Sequence, residues 1–178
     1  MNVLLLGGSK SGKSFLAQEV TRRLAAGGPL YYWATMKPVD GEDRARIRRH
    51  LEERDGWGFA TVERGRDLPG VLSEIDPRGA VLLDSVTALL ANEMFSPLGV
   101  DEGAPERALS DLLTLSGHMR HLVCVCDDVF RFDGPYDPVT EAYRAGLARV
   151  CRGLAESFDT VAEVSVGIHH VWKGDGRL

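Results

Sequence analysis

Val3-Leu4-Leu5-Leu6-Gly7-Gly8-Ser9-Lys10-Ser11-Gly12-Lys13-Ser14 decides how the rest of the chain is read. Residues 7–14 satisfy G-x-x-x-x-G-K-[ST] at every position. The residue types follow from the chemistry of anion binding. Glycines let the backbone wrap closely around a phosphate, so that successive N–H groups point inward. The helical pattern over residues 14–24 aims its N-terminus, with partial positive charge, at the same anion. Lys13 is placed to reach the terminal phosphates of a nucleotide, and the Ser14 hydroxyl to ligate Mg²⁺. A chance glycine-rich turn is the alternative, but an apolar strand before the loop and a helix after it are both in register with the motif.

Working outward, short apolar runs alternate with helical patterns. After residues 3–6 come Leu30-Tyr31-Tyr32-Trp33-Ala34, Ala80-Val81-Leu82-Leu83 and Leu122-Val123-Cys124-Val125-Cys126. Such runs suit parallel strands buried on both faces. Residues 161–166 alternate more and predict a fifth strand, with Val171-Trp172-Lys173 pairing to it after a turn near Gly167. Helices are predicted over 14–24, 43–54, 86–95 and 106–119, and from an Asp137 cap with Pro138 at the first helical position to about Phe158. Residues 56–69 and 130–136 are the least regular and read as loops over a site. This alternation predicts one α/β domain over residues 1–178, with a largely parallel sheet flanked by helices.

Open α/β sheets bind ligands beyond the carboxyl ends of their strands. Asp84 stands there, at the end of the run 80–83, as a metal or nucleotide contact; the competing reading is the N-cap of the helix that follows. Asp127 and Asp128 end the fourth run in the same way, with site and cap readings both open.

Composition narrows the partners. Apolar residues make up 44% and charged residues 26%, and the net charge of −5 gives no electrostatic case for nucleic acid. Nothing approaches a membrane span, so a cytoplasmic location is expected. Cys124, Cys126 and Cys151 form no metal pattern and read as small buried residues, with Cys124 and Cys126 on one face of a strand.

Residues 43–54 hold Arg46, His50 and Arg54 four apart, so they line one helix face. Flanking positive charge favours the neutral, nucleophilic imidazole and attracts phosphate, an arrangement suited to attack on the α-phosphorus of a nucleotide. The alternative is a solvated helix with a surface histidine. His118, His121, His169 and His170 have no carboxylate at metal-ligand spacing and read as structural or exposed.

A family resemblance rests on an ordered set of blocks. After the glycine-rich loop come Tyr32-Trp33-Ala34-Thr35, then Arg46-Ile47 with His50, then Trp57-Gly58-Phe59-Ala60-Thr61-Val62-Glu63. Leu82-Leu83-Asp84-Ser85-Val86-Thr87 and Asn92-Glu93-Met94-Phe95 follow. From about Asn2 to Gly174 the chain resembles the bifunctional adenosylcobinamide kinase / adenosylcobinamide-phosphate guanylyltransferase family. The resemblance implies a RecA-like P-loop NTPase fold, commonly in a homotrimer. It implies that ATP or GTP phosphorylates the aminopropanol hydroxyl of adenosylcobinamide, a corrinoid. GTP then gives GMP to that phosphate through a GMP-histidine, and the histidine falls on His50. Nucleotide contacts fall on Gly7, Gly8, Ser9, Lys10, Ser11, Gly12, Lys13 and Ser14, on Ala34, Thr35 and Met36, on Leu51, Glu52, Glu53 and Arg54, and on Glu63 and Asp84. Ser14 and Asp84 would hold Mg²⁺.

The chain departs from the family pattern at Leu51, where a basic residue is usual. It also departs at Cys126-Asp127-Asp128-Val129-Phe130, where many members have Thr-Asn-Glu-Val-Gly, and at Ala148-Arg149-Val150-Cys151-Arg152, where many have Gly-Arg-Val-Asn-Gln. These differences keep a P-loop kinase without guanylyl transfer open; a second alternative, from a different class, is a nucleotide-dependent switch or ATPase acting on a protein partner. The second lacks the Asn-Lys-x-Asp base-reading motif of guanine switches.

Overall fold

A computed structural model describes residues 1–36, 55–130, 134–176 and 178. In chain order the strands are β1 (Asn2–Gly7), β2 (Leu30–Ala34), β3 (Ala60–Glu63), β4 (Ala80–Asp84), β5 (Phe95–Ser96), β6 (Gly99–Val100), β7 (His121–Asp127), β8 (Thr160–Ser165) and β9 (Ile168–Lys173). The helices are α1 (Lys13–Ala25), α2 (Val86–Met94), α3 (Ala104–His118) and α4 (Pro138–Ser157), with a 3₁₀ turn at Leu68–Ser73. Among the described residues the main sheet runs β3-β2-β4-β7-β1-β8-β9. Its pairs are parallel except β8 with β9, which is antiparallel.

The apolar runs form the centre of this sheet because both of its faces are covered. Successive strand residues point to opposite sides. Leu4, Val81, Leu83, Leu122 and Cys124 pack under Leu89, Leu112, Leu147 and Leu154 of α2, α3 and α4. Val3, Leu5, Leu82, Val123 and Val125 pack on the other face with Ala17 and Val20 of α1. Each fully buried leucine here contributes about 1.5–3 kcal/mol. Cys124 and Cys126 do share a face, and all three cysteines are buried and unpaired by disulfide.

The helices expected at 14–24, 86–95, 106–119 and 138–158 all form, with ends shifted by a residue or two. Asp137 caps α4 by accepting hydrogen bonds from the Val139 and Thr140 N–H groups. One expectation is corrected. Residues 56–69 are not all loop: β3 lies within them and pairs with β2, Ala34 opposite Glu63. The helix expected over 43–54 lies outside the described residues, as do residues 131–133 of the second expected loop.

Candidate functional site

The glycine-rich loop joins β1 to α1 at the carboxyl edge of the sheet. Gly12, the residue before α1, takes a left-handed conformation at φ 94°, which glycine adopts without strain. Three backbone hydrogen bonds fix the loop. Ser11 N–H donates to Gly8 O at 3.2 Å, Asp128 N–H to Gly7 O at 3.0 Å, and Gly167 N–H to Ser11 O at 2.8 Å. The last two come from the end of β7 and from the β8–β9 turn, so neighbouring strands hold the loop from both sides. Gly8, Ser9, Lys10 and Gly12 are exposed, and Ser14 is half-buried. The Ser11 hydroxyl is buried and has no hydrogen-bond partner among the described residues.

Lys13 is only 7% exposed, and its ammonium is turned toward this edge. Nζ donates to Gly8 O at 3.1 Å and contacts Asp127 Oδ1 at 2.7 Å. Parallel register sets Gly7 opposite Asp127, which brings the two charges together. The cap reading for Asp127 and Asp128 is not what forms: the next helix in the described residues is α4, capped by Asp137. Asp128 instead accepts from Phe130 N–H at 3.3 Å.

Asp84 ends β4, one strand beyond β7. The cap of α2 is Ser85, whose Oγ accepts from Ala88 N–H at 3.2 Å, so Asp84 is released from that role. Tyr32 Oη donates to Asp84 Oδ2 at 2.8 Å. Ser14 and Asp84 are hard oxygen donors of the type Mg²⁺ takes, and Asp84 Oδ1 has no hydrogen-bond partner among the described residues. The donor set therefore fits the metal that accompanies nucleotides.

The segment Ala34, Thr35, Met36 is clamped to β4 and α2. Buried Thr35 donates its hydroxyl to Ser85 O at 2.8 Å and accepts from Ser85 N–H at 2.7 Å. Asn92 Nδ2 donates to Thr35 O at 2.7 Å. Thr87 Oγ1 accepts from Asp127 N–H at 2.8 Å, and Tyr143 Oη donates to Thr87 O at 2.8 Å. The Asn92 and Thr87 sequence blocks are thus scaffolding that ties three strand ends into one rim. These contacts join residues far apart in sequence, and no local pattern announced them.

Glu63 is placed elsewhere. It is exposed at the end of β3, and β2, β4 and β7 separate β3 from β1. At the usual strand spacing that is about 19 Å, so Glu63 and Lys13 cannot grip one phosphate. His50, with Leu51, Glu52, Glu53 and Arg54, lies outside the described residues. Trp57 stacks edge-on to Phe15 of α1, with Arg22 over its ring at 4.9 Å. The remaining histidines behave as structural or exposed groups: His118 Nδ1 meets Thr114 O, and His121 Nδ1 meets the N-terminal amine. Burial, then the N-terminal charge, lowers the His121 pKa. A hydrogen bond to Cys126, reinforced by burial, pushes the Cys151 thiol far up, and burial does the same to Cys124. Both therefore stay protonated and inert.

The profile of the family described as cobinamide kinase / cobinamide phosphate guanyltransferase matches residues 3–171. The chain belongs to this family. It is 35% identical over 182 residues to the bifunctional adenosylcobalamin biosynthesis protein CobU of Escherichia coli, covering 97% of this chain and 94% of that one. It is 30% identical over 180 residues to the bifunctional adenosylcobalamin biosynthesis protein CobP of Pseudomonas aeruginosa, covering 98% and 99%. Solved structures share the fold at low identity. The P4 protein of bacteriophage phi6 in complex with ADP aligns with a TM-score of 0.50 at 15% identity, over 96% of this chain and 52% of that one. A second solved structure, an ATPase domain, aligns with a TM-score of 0.52 at 10% identity, over 91% of this chain and 68% of that one. This cobinamide kinase/guanyltransferase family member is therefore built on a P-loop NTPase, RecA-like architecture.

Proposed function

We propose that the protein phosphorylates adenosylcobinamide with a nucleoside triphosphate and then transfers GMP from GTP to that phosphate through a GMP-histidine on His50, releasing pyrophosphate. The observation that carries this reading is a family match running almost the whole length of a chain whose glycine-rich loop is formed and braced, with Lys13 held at its mouth. Lys13 and the loop N–H groups bind the phosphates and stabilise charge as it moves between them. Ser14 and Asp84 hold Mg²⁺, which neutralises phosphate charge when bound. Tyr32 orients the Asp84 carboxylate. Ala34, Met36 and residues 51–54 contact the rest of the nucleotide, with buried Thr35 bracing its neighbours from beneath, and Glu63 contacts it far from the phosphate end. His50 is the covalent nucleophile.

Among the described residues no helix is long and apolar enough to cross a membrane. A cytoplasmic enzyme acting on small molecules is in keeping with this. The homotrimer is part of the same proposal: edge strand β9 and its turn expose Val166, Ile168 and Trp172, apolar groups that an assembly would cover.

The test is to incubate the protein with Mg²⁺ and α-³²P-labelled GTP and to compare wild type with His50→Ala. Acid-labile, base-stable label on the wild-type chain, absent from H50A, is the expected result. A wild type that binds GTP yet takes no label would leave a kinase without guanylyl transfer, the reading that Leu51 and the α4 departures favour.

A further inference from the structure

We infer that Asp127 accepts the proton of the substrate hydroxyl during phosphorylation. The inference rests on the kinase half of the proposed function and adds a catalytic residue to it. Lys13 carries three N–H donors. The ammonium donates to Gly8 O at 3.1 Å and is ion-paired with Asp127 Oδ1 at 2.7 Å, which leaves N–H donors for a phosphate oxygen. Asp127 therefore need not be displaced when nucleotide binds. It stands beside the group that grips the transferring phosphate, and the Lys13 charge offsets its repulsion of that phosphate.

Its surroundings fit the role. Thr87 Oγ1 holds the Asp127 N–H, and the next residue's N–H is bonded to Gly7 O, so the backbone is fixed on both sides. The side chain is 29% exposed, and Oδ2 has no partner among the described residues. The other carboxylates of this edge are less suited. Asp84 is held by Tyr32 and stands one strand further from β1, Asp128 closes a turn onto Phe130, and Glu63 lies at the far edge of the sheet.

In the step, the acceptor oxygen forms a bond to the γ-phosphorus. The bond from that phosphorus to the β,γ-bridging oxygen breaks, and its electron pair leaves with the nucleoside diphosphate. The hydroxyl proton passes to Asp127 Oδ2 and from there to solvent. Guanylyl transfer needs no such proton acceptor, because its attacking atoms, the unprotonated nitrogen of a neutral imidazole and an ionised phosphate oxygen, carry no proton to lose. The two activities should therefore respond differently to loss of this carboxylate.

The experiment compares wild type with Asp127→Asn in the full chain. One arm follows γ-³²P from GTP into adenosylcobinamide. The other follows α-³²P from GTP onto the protein and into supplied adenosylcobinamide phosphate. D127N is expected to lose at least about a hundredfold in phosphorylation kcat and less than about tenfold in guanylylation. Equal losses in both arms would overturn the inference and mean that Asp127 acts only by orienting Lys13. Phosphorylation kept within about tenfold would overturn it too. Should D127N fail to fold, Asp127→Ser replaces it, with the same unequal loss expected and an equal loss decisive against. A wild type that labels its own chain with GMP but does not phosphorylate adenosylcobinamide sinks the kinase reading itself, a failure distinct from that of Asp127.

Discussion

Gly7 has no room for a side chain. A methyl there would stand 2.5 Å from the carbonyl oxygen of Val164 and 2.7 Å from Ser11 Oγ. The first contact is to backbone of β8, so relief would need a shift between paired strands. At Gly8 the same methyl meets nothing within 4 Å. The two glycines of one motif therefore serve different ends: Gly7 lets strand and loop close up, and Gly8 keeps the loop open to a ligand. Gly7→Ala is expected to lower stability by about 1–3 kcal/mol, read from denaturant unfolding. Gly8→Ala should leave the unfolding midpoint nearly unchanged while weakening GTP binding measured by calorimetry. Equal unfolding midpoints for both variants would refute this division. The motif calls for glycine at position 7 and leaves position 8 open, but that Gly7 answers to β8 became visible only with the neighbouring strand in place.

The β8–β9 turn shows the same limit for a whole element. Gly167 marked a turn in the sequence, and the hairpin forms around it. Its partner in the turn is Val166, at φ 46° beside Gly167 at φ 81°. Positive φ at both positions is the type I′ geometry, which Asn-Gly fits best and which a β-branched residue resists. Val166 is 86% exposed, so its side chain returns little burial within one chain. Val166→Asn is expected to raise stability by about 1 kcal/mol, roughly 2–4 °C in melting temperature for a chain of this size. A fall in melting temperature would mean that Val166 is buried in an assembly, and a molar-mass measurement on the variant would then show dissociation. Elsewhere legibility followed length and burial. The runs in β1, β2, β4 and β7 declared themselves because helices cover both faces. In β3 only Val62 is buried, so its strand character comes from pairing with β2 and not from any pattern of its own.

Across the molecule, strand–helix alternation made the layers legible and the glycine-rich motif located one end of the site. Lateral order was not legible, because parallel neighbours are joined by long crossovers. Nothing local says that Gly7 lies opposite Asp127, or that Glu63 is three intervening strands away from β1. The rim that results is held by contacts spanning the chain: Lys13 to Asp127, Thr87 to Asp127, Tyr32 to Asp84, Asn92 to Thr35. A ligand seated on this rim bridges β1, α1 and β7 and should stabilise the fold as a whole. Binding to the native state alone adds about 2.7 kcal/mol at a free ligand concentration of about 100 Kd. For a chain of this size that is a rise of about 5–10 °C in melting temperature with Mg²⁺ and GTP. Lys13→Met keeps the buried aliphatic stem and removes the charge that meets the phosphates, and it leaves Asp127 partly exposed to water. The variant should therefore melt near the wild-type temperature without ligand and show little rise with Mg²⁺ and GTP. A K13M protein that kept the full rise would place the nucleotide somewhere other than the loop that Lys13 closes.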